Sequence, residues 1–205
     1  MERYSEKLQG EEDTLVDHVI AVRGAEAWMI DELRVTLQKL IRGDIFGIDK
    51  YLAPGTPLES HVVKGSADRE VCTSAVMGFA ESNRLGQYMA KLVFGITEEL
   101  LMNAIYDAPI AAGRSHYDEQ PRNAPIELQE DEFSALNYAC DGKTFAIGVC
   151  DPFGALTRDK LFQYLKKVLR RQDGKGLIDT KKGGAGLGLF KILYSSHSLV
   201  CNVKE

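Results

Sequence analysis

Only four of the 205 residues are cysteine, and Cys72, Cys140, Cys150 and Cys201 lie too far apart to form a metal-ligand spacing. Cys140, Cys150 and Cys201 fall in apolar, strand-like runs, where a thiol serves as a small hydrophobe. No apolar run approaches the roughly 18 residues needed to cross a bilayer, so no membrane partner is expected. Residues 1–10 are polar and charged and carry no apolar signal-peptide segment. These absences together predict a reduced, cytoplasmic protein. Positive charge is not in excess either. A net charge of -5 excludes a general nucleic-acid binder, which needs clustered basic surface to displace counterions. The densest basic stretches, Lys166-Lys167 with Arg170-Arg171 and Lys181-Lys182, are local, and suit a solvated face or a phosphate contact equally.

What remains is an ordinary globular composition, 44% hydrophobic and 27% charged, with no internal repeat. The length allows one domain with a substantial core plus an appendage. Two prolines and a glycine in residues 53–59 (APGTPLE) mark a boundary between an amino-terminal extension, 1–55, and a main domain, 56–205. Within the extension, residues 17–22 suit a short strand. Met29, Leu33, Leu37 and Leu40 give residues 26–42 an amphipathic helical stripe, which would pack on the main domain, a partner or a second copy. In the main domain, strands are predicted at 61–64, 126–128, 134–140, 144–150 and 199–203. Helices are predicted at 68–81, 85–106, 159–171 and 186–196, with Ser66 and Asp68 starting the first of them. Residues 109–125 and 172–185 read as loops, and Asp141-Gly142 favours a type I′ hairpin turn. Helices, then a strand meander, then helix, loop, helix and strand predict an α/β sandwich with a mixed, mostly antiparallel sheet.

Three features carry chemistry. On a helix of about 3.6 residues per turn, Met89, Leu92, Val93, Ile96, Leu100 and Ala104 gather into a buried sector. Asn103 and Asp107 fall inside that sector, Glu99 at its margin, and Glu98 on the opposite side. Buried amides and carboxylates need partners, so these residues either cap neighbouring groups or face a site. Second, Gly183, Gly184, Gly186 and Gly188 crowd the start of a helix with apolar spacing at Leu187, Phe190 and Leu193. Glycine weakens a helix by up to about 1 kcal/mol relative to alanine. Its use there suits close approach of backbone N–H groups to an anion. No Gly-Lys-Ser/Thr follows, as a P-loop requires, and no compact strand leads in, as a dinucleotide turn requires. Third, Asp151 ends the apolar run 145–150 and begins Asp-Pro-Phe-Gly, a position that suits a ligand contact or a turn former.

In this order, Glu99-Leu-Leu-Met-Asn103, Asp151-Pro-Phe-Gly154 and Gly184-Ala-Gly-Leu-Gly-Leu189 resemble the N, G1 and G2 boxes of histidine-kinase-like (GHKL, Bergerat-fold) ATPases. The resemblance covers about residues 60–205, and its helix pair before the N box is closest to the anti-sigma-factor serine/threonine kinases. It implies a two-layer sandwich of the Bergerat type that binds ATP and Mg²⁺. Asn103 would hold the metal, with Asp107 nearby on the nucleotide side. Glu99 would orient or deprotonate the attacking hydroxyl or water. Asp151 and Gly154 would form the adenine pocket. Gly184, Gly186, Leu187 and Gly188 would shape the phosphate loop, and Lys181 or Lys182 would reach a phosphate from a lid at 172–182. In the family the G1 box reads Asp-x-Gly-x-Gly; here Gly154 stands three residues after Asp151, and Ala155 replaces the second glycine. The family's domain also continues beyond the point matched by Glu205, so the last strand is expected to be missing or supplied from elsewhere.

The implied function is an ATP/Mg²⁺-binding signalling domain, an ATP-dependent protein serine/threonine kinase or ATPase acting on a regulatory protein partner. The alternative is a non-catalytic module of the same fold that regulates a partner by binding it. A homodimer through the 26–42 stripe is a further expectation.

Overall fold

The computed structural model describes residues 21–22, 28–114, 124–157, 159–161, 163 and 187–202. The chain is a mixed α/β domain with helices against a small antiparallel sheet. Strand β1 is Ala21–Val22, helix α1 Trp28–Arg42, β2 Glu59–Val63, α2 Asp68–Ser82 and α3 Gln87–Met102. A π turn at Asn103–Asp107 leads into α4, Ala108–Ala111. Strands β3, Ser134–Cys140, and β4, Phe145–Cys150, precede α5, Leu187–Ser195, and β5, Ser198–Leu199. The three-stranded sheet runs β2-β3-β4, and β1 pairs separately with β5; both sets are antiparallel. No helix among the described residues is long and apolar enough to cross a membrane.

The helices cover one face of the three-stranded sheet. Val63, Leu136 and Tyr138 from the strands meet Cys72 and Val76 of α2, Val93 and Leu101 of α3, and Ile105 of the π turn. Phe79 of α2 packs its ring edge on Tyr138, 5.1 Å between centroids. The period-2 burial of β3 from Ser134 to Tyr138 and the exposure of Val62 on β2 are what a sheet covered on one side requires. Gly65 faces the Ile126 carbonyl so closely that no side chain would fit, and a bridge from Gly65 to Glu127 is all that forms where a strand was expected at 126–128. Ser66, expected to start α2, instead accepts a bond from the Ile126 amide at 2.9 Å. Asp68 accepts one from Lys64 N–H at 2.7 Å.

Three further expectations change. The helix expected over 85–106 runs on to Ala111, through the π turn, into the stretch read as loop. Pro109 has no N–H, and in a regular α-helix its ring would meet the carbonyl four residues back. The wider turn just before it, with Ala108 N–H bonded to the Asn103 carbonyl, relieves that clash. Second, the buried stripe of α3 takes in Val93, Ile96, Thr97 and Leu101: Val93 and Ile96 are buried as expected, but Leu100 is only partly buried and Met89 is exposed. The apolar band is broad enough to allow either facing, and packing on the sheet selects one. Third, Gly142 has a φ of +88° while Lys143 stays out of the left-handed region, so the 141–144 turn is not type I′. Asp141 caps it by accepting from Lys143 and Thr144 N–H, and it also accepts from Ala53 N–H at 2.9 Å. The 53–59 boundary is thereby tied to the hairpin. Cys150, expected among buried groups, is exposed.

In the extension, β1 pairs with β5, so an amino-terminal segment supplies a strand beside the last described one. Lys39, buried on the inner side of α1, donates to the Tyr51 hydroxyl. Burial, together with the charge of Lys50, holds its ammonium below the usual lysine range against the opposing pull of Asp44 and Asp49. Leu33 and Leu37 of the expected stripe are half-exposed, as are Ile30 and Ile41 to a greater degree. Helix α2 ends in a Schellman motif, with Leu85 N–H on the Ala80 carbonyl and Arg84 N–H on that of Glu81. Arg84 must adopt a φ of +56° there, a conformation glycine takes without a Cβ penalty. Arg84→Gly is expected to stabilise the fold by about 1 kcal/mol, read as a rise in the denaturant midpoint at unchanged slope.

Candidate functional site

One cleft of about 380 Å³ opens beside α3, lined by Glu98, Glu99, Asn103 and Asp107, by Gly188 and Lys191 of α5, and by Arg69 of α2. That volume lies within the usual range for a small-molecule site, about 300–1,000 Å³. Its walls are set by α3, which buries Val93, Thr97 and Leu101 in the core and so raises Glu98, Glu99 and Asn103 along its flank. The π turn keeps Asn103 and Asp107 on the cleft side while Ala104, Ile105 and Tyr106 are buried.

Helix α5 closes over Glu99. A Cβ on Gly188 would stand 2.6 Å from Glu99 Oε2 and 3.8 Å from Asn103 Oδ1, so glycine is what lets the two helices meet there. Lys191, three residues on, reaches across and donates to Glu99 Oε1 at 3.0 Å. Its stem passes over Gly95 of α3, where a Cβ would lie 3.1 Å from Lys191 Cε. Each oxygen of Glu99 therefore has its own neighbour, an ammonium on one side and an unfilled glycine on the other. Asn103 is half-buried, and its side chain takes no hydrogen-bond partner among the described residues.

Glu98, placed by helical phase on the side opposite the cleft, in fact lines it. The register that buries Thr97 and Leu101 brings it round to α2. It accepts from Arg69 Nε at 3.0 Å, pairs with the second arm of that guanidinium, and accepts from Thr73 Oγ1 at 2.8 Å. Burial alone would push this carboxyl up. The bonds from Arg69 and Thr73 and the charges of Arg69 and Lys191 outweigh it and hold Glu98 below the usual carboxylate range.

The remaining sequence-derived candidates divide. Asp151 and Gly154 do not line the cleft. Asp151 Oδ1 accepts from Phe153 N–H at 2.9 Å, the turn-forming role, and Gly154 has a left-handed φ of +59°. Lys181, Lys182, Gly184 and Gly186 lie outside the described residues, as do the lid at 172–182 and most of the helix expected at 159–171. Leu187 opens α5. Lys191 and Arg69 were not singled out from the sequence. A lysine three residues after Gly188, inside an otherwise apolar helix, was the available signal.

Three carboxylates against two cations make the cleft a net anionic site built from hard oxygen donors. Among the described residues no group of three or more His, Cys, Asp and Glu side chains is arranged to hold a metal. A Mg²⁺ ion needs fewer protein ligands than that, since it keeps waters and is commonly held by one or two side chains together with phosphate oxygens. The side-chain oxygens of Asn103 and Glu99, brought together at Gly188, are donors of that kind.

Two outcomes test this geometry. Gly188→Ala is expected to keep the fold, within about 1 kcal/mol because alanine is the better helix former, while displacing the Glu99 carboxylate and weakening ligand binding in the cleft. Thermal unfolding and titration of the same variant separate these effects. For Glu98, a folded-state pKa below the unfolded one means stability present above the unfolded value and lost as pH falls through the folded value. The stability gap between wild type and Glu98→Gln should be about 1–2 kcal/mol near pH 7 and close below about pH 4. The chain as a whole matches no protein-family model, no curated protein and no solved structure, so the reading of this cleft rests on its own residues.

Proposed function

We propose that this chain is an ATP- and Mg²⁺-binding signalling domain of the histidine-kinase-like, Bergerat-fold type, and that the cleft beside α3 receives the phosphate end of the nucleotide. The observation that carries this reading is the meeting of Glu99, Asn103 and Asp107 with Gly188 in one cleft. The N-box and G2-box resemblances were drawn separately from segments far apart in sequence, and α3 against α5 joins them in space.

Electrostatics supports the metal. A net anionic cleft repels a bare polyphosphate, and a divalent cation reverses that. Bound Mg²⁺ would supply charge neutralisation of the phosphates; Asn103 would hold it through its side-chain oxygen, with Asp107 beside it. Gly188 lets the Glu99 carboxylate and the Asn103 oxygen come close to the backbone at the start of α5, where the phosphate end would enter. Glu99 is in reach of the same space through Oε2 and would accept the proton of a serine or threonine hydroxyl, or of water. The regulatory partner would then be the substrate of a protein serine/threonine kinase.

A second reading is a non-catalytic module of the same fold that acts by binding its partner. Two observations favour it: Glu99 is already engaged by Lys191, and α1 presents Ile30, Leu33, Leu37 and Ile41 outward, a surface for a regulatory protein or a second copy.

Calorimetric titration with ATP, with and without Mg²⁺, tests the nucleotide reading. Binding is expected only with Mg²⁺, and Asn103→Ala should weaken it about tenfold or more, equivalent to about 1.4 kcal/mol, at unchanged stability. A folded wild-type chain that binds no nucleotide would remove this reading and leave the binding module. Nucleotide binding without transfer to protein or water would leave the module with a bound nucleotide.

A further inference from the structure

We infer that Lys191 bridges Glu99 to the terminal phosphate of the bound nucleotide, so that one residue both senses that phosphate and positions the carboxylate facing it. The inference rests on the nucleotide reading above and deepens it.

Lys191 is an exposed lysine, but its position is set by more than the one carboxylate. It lines the cleft from the same helix face as Gly188, and its ammonium lies 3.0 Å from Glu99 Oε1. The stem reaches that point by crossing α3 at Gly95, a buried position where any Cβ would press on Lys191 Cε at 3.1 Å. The crossing therefore depends on a glycine in a helix interior, a residue that weakens helices. Half of the lysine side chain remains exposed.

An ammonium has three donors and no acceptor. Glu99 takes one, and no other hydrogen bond to Lys191 is formed among the described residues, so two donors remain for an oxyanion. Lys191 also contributes to the positive potential felt by Glu98. Arg69, the other cation of the cleft, already has its guanidinium on Glu98. Arg69 spends two of its five donors in that fork and is anchored there between α2 and α3, so Lys191 is the cation placed beside Glu99 and Gly188.

The arrangement assigns different work to the two oxygens of Glu99. Oε1 is tethered by Lys191, and Oε2 lies against Gly188, 2.6 Å from where a Cβ would stand. An anion that draws on the free donors of Lys191 is registered, through the tether, against Oε2. A diphosphate lacks the group that would make this contact. Discrimination of ATP from ADP should therefore reside in Lys191.

Affinities for ATP and ADP, each with Mg²⁺, are to be measured by calorimetry for the wild type, Lys191→Met, Lys191→Arg and Gly95→Ala, with thermal unfolding of each. The wild type is expected to prefer ATP by about tenfold or more, the worth of one charge-assisted contact. Lys191→Met should bring the ratio near one mainly by weakening ATP, and Lys191→Arg should restore part of it. Gly95→Ala, which keeps every charge and improves helix propensity, should lower the ratio by displacing the stem. If Lys191→Met does not fold, Gly95→Ala and Lys191→Arg decide: a ratio unchanged from wild type in both overturns the inference. A preference for ATP that survives in folded Lys191→Met overturns it alone and leaves the nucleotide reading standing. No nucleotide binding by the folded wild type overturns both.

Discussion

The widened turn at Asn103–Asp107 is the constraint on which the cleft depends. A regular helix could not pass Pro109 without losing a bond and meeting the ring, and the chain keeps its helical direction by opening one turn instead. That turn has to serve two environments. Ala104, Ile105 and Tyr106 go into the core, where Tyr106 donates to the Ala124 carbonyl at 3.2 Å, while Asn103 and Asp107 stay on the cleft. A helix that continued regularly would rotate one of these sets out of place. Local backbone irregularity and the placement of polar side chains are here one feature.

Adjacent glutamates show how packing divides similar residues. Glu98 and Glu99 have the same side chain and neighbouring positions on α3, but α2 claims the first and α5 the second. Glu98 is fixed by a guanidinium and a hydroxyl and is a structural bond between α2 and α3. Among the described residues Glu99 is bonded at one oxygen, by a half-exposed lysine, and its other oxygen lies against Gly188. Breaking a partly buried ion pair by removing one partner costs more than the pair contributes, because the survivor is left desolvated. The first glutamate is therefore difficult to change for reasons of stability, whereas the second is the one the proposed function assigns to chemistry.

Much of the fold was legible in the sequence because its elements are local. Helix α2, expected at 68–81, is Asp68–Ser82, and β3, expected at 134–140, is Ser134–Cys140. Their periodicity leaves little choice. What was not legible was long-range. The apolar band of α3 is wide, and nothing in it says that Thr97 rather than Leu100 faces the sheet, so Glu98 was put on the wrong side. Pro109 read as the start of a loop because proline usually ends a helix, and the π turn that accommodates it has no sequence mark of its own. Residues 126–128 have strand composition but form a single bridge, Glu127 to Gly65, with flanking bonds to Lys64 and Ser66 in place of a strand. In the site, Glu99, Asn103 and Gly188 could be named from motifs. Their joining, and the lysine that ties them, depends on how α3 and α5 cross.

That crossing explains why glycines appear on both helices at the point of contact. Gly188 on α5 admits the Glu99 carboxylate, and Gly95 on α3 admits the stem of Lys191. Each lacks a side chain where the other helix brings a charged one. Two glycines inside helices weaken both intrinsically, and an apolar contact would hold the helices together without them. Ile192, next to Lys191, is buried and adds apolar burial to α5. Weakening two helices to hold a lysine against a half-buried carboxylate, beside an amide that takes no hydrogen-bond partner among the described residues, is what the proposed nucleotide site would call for.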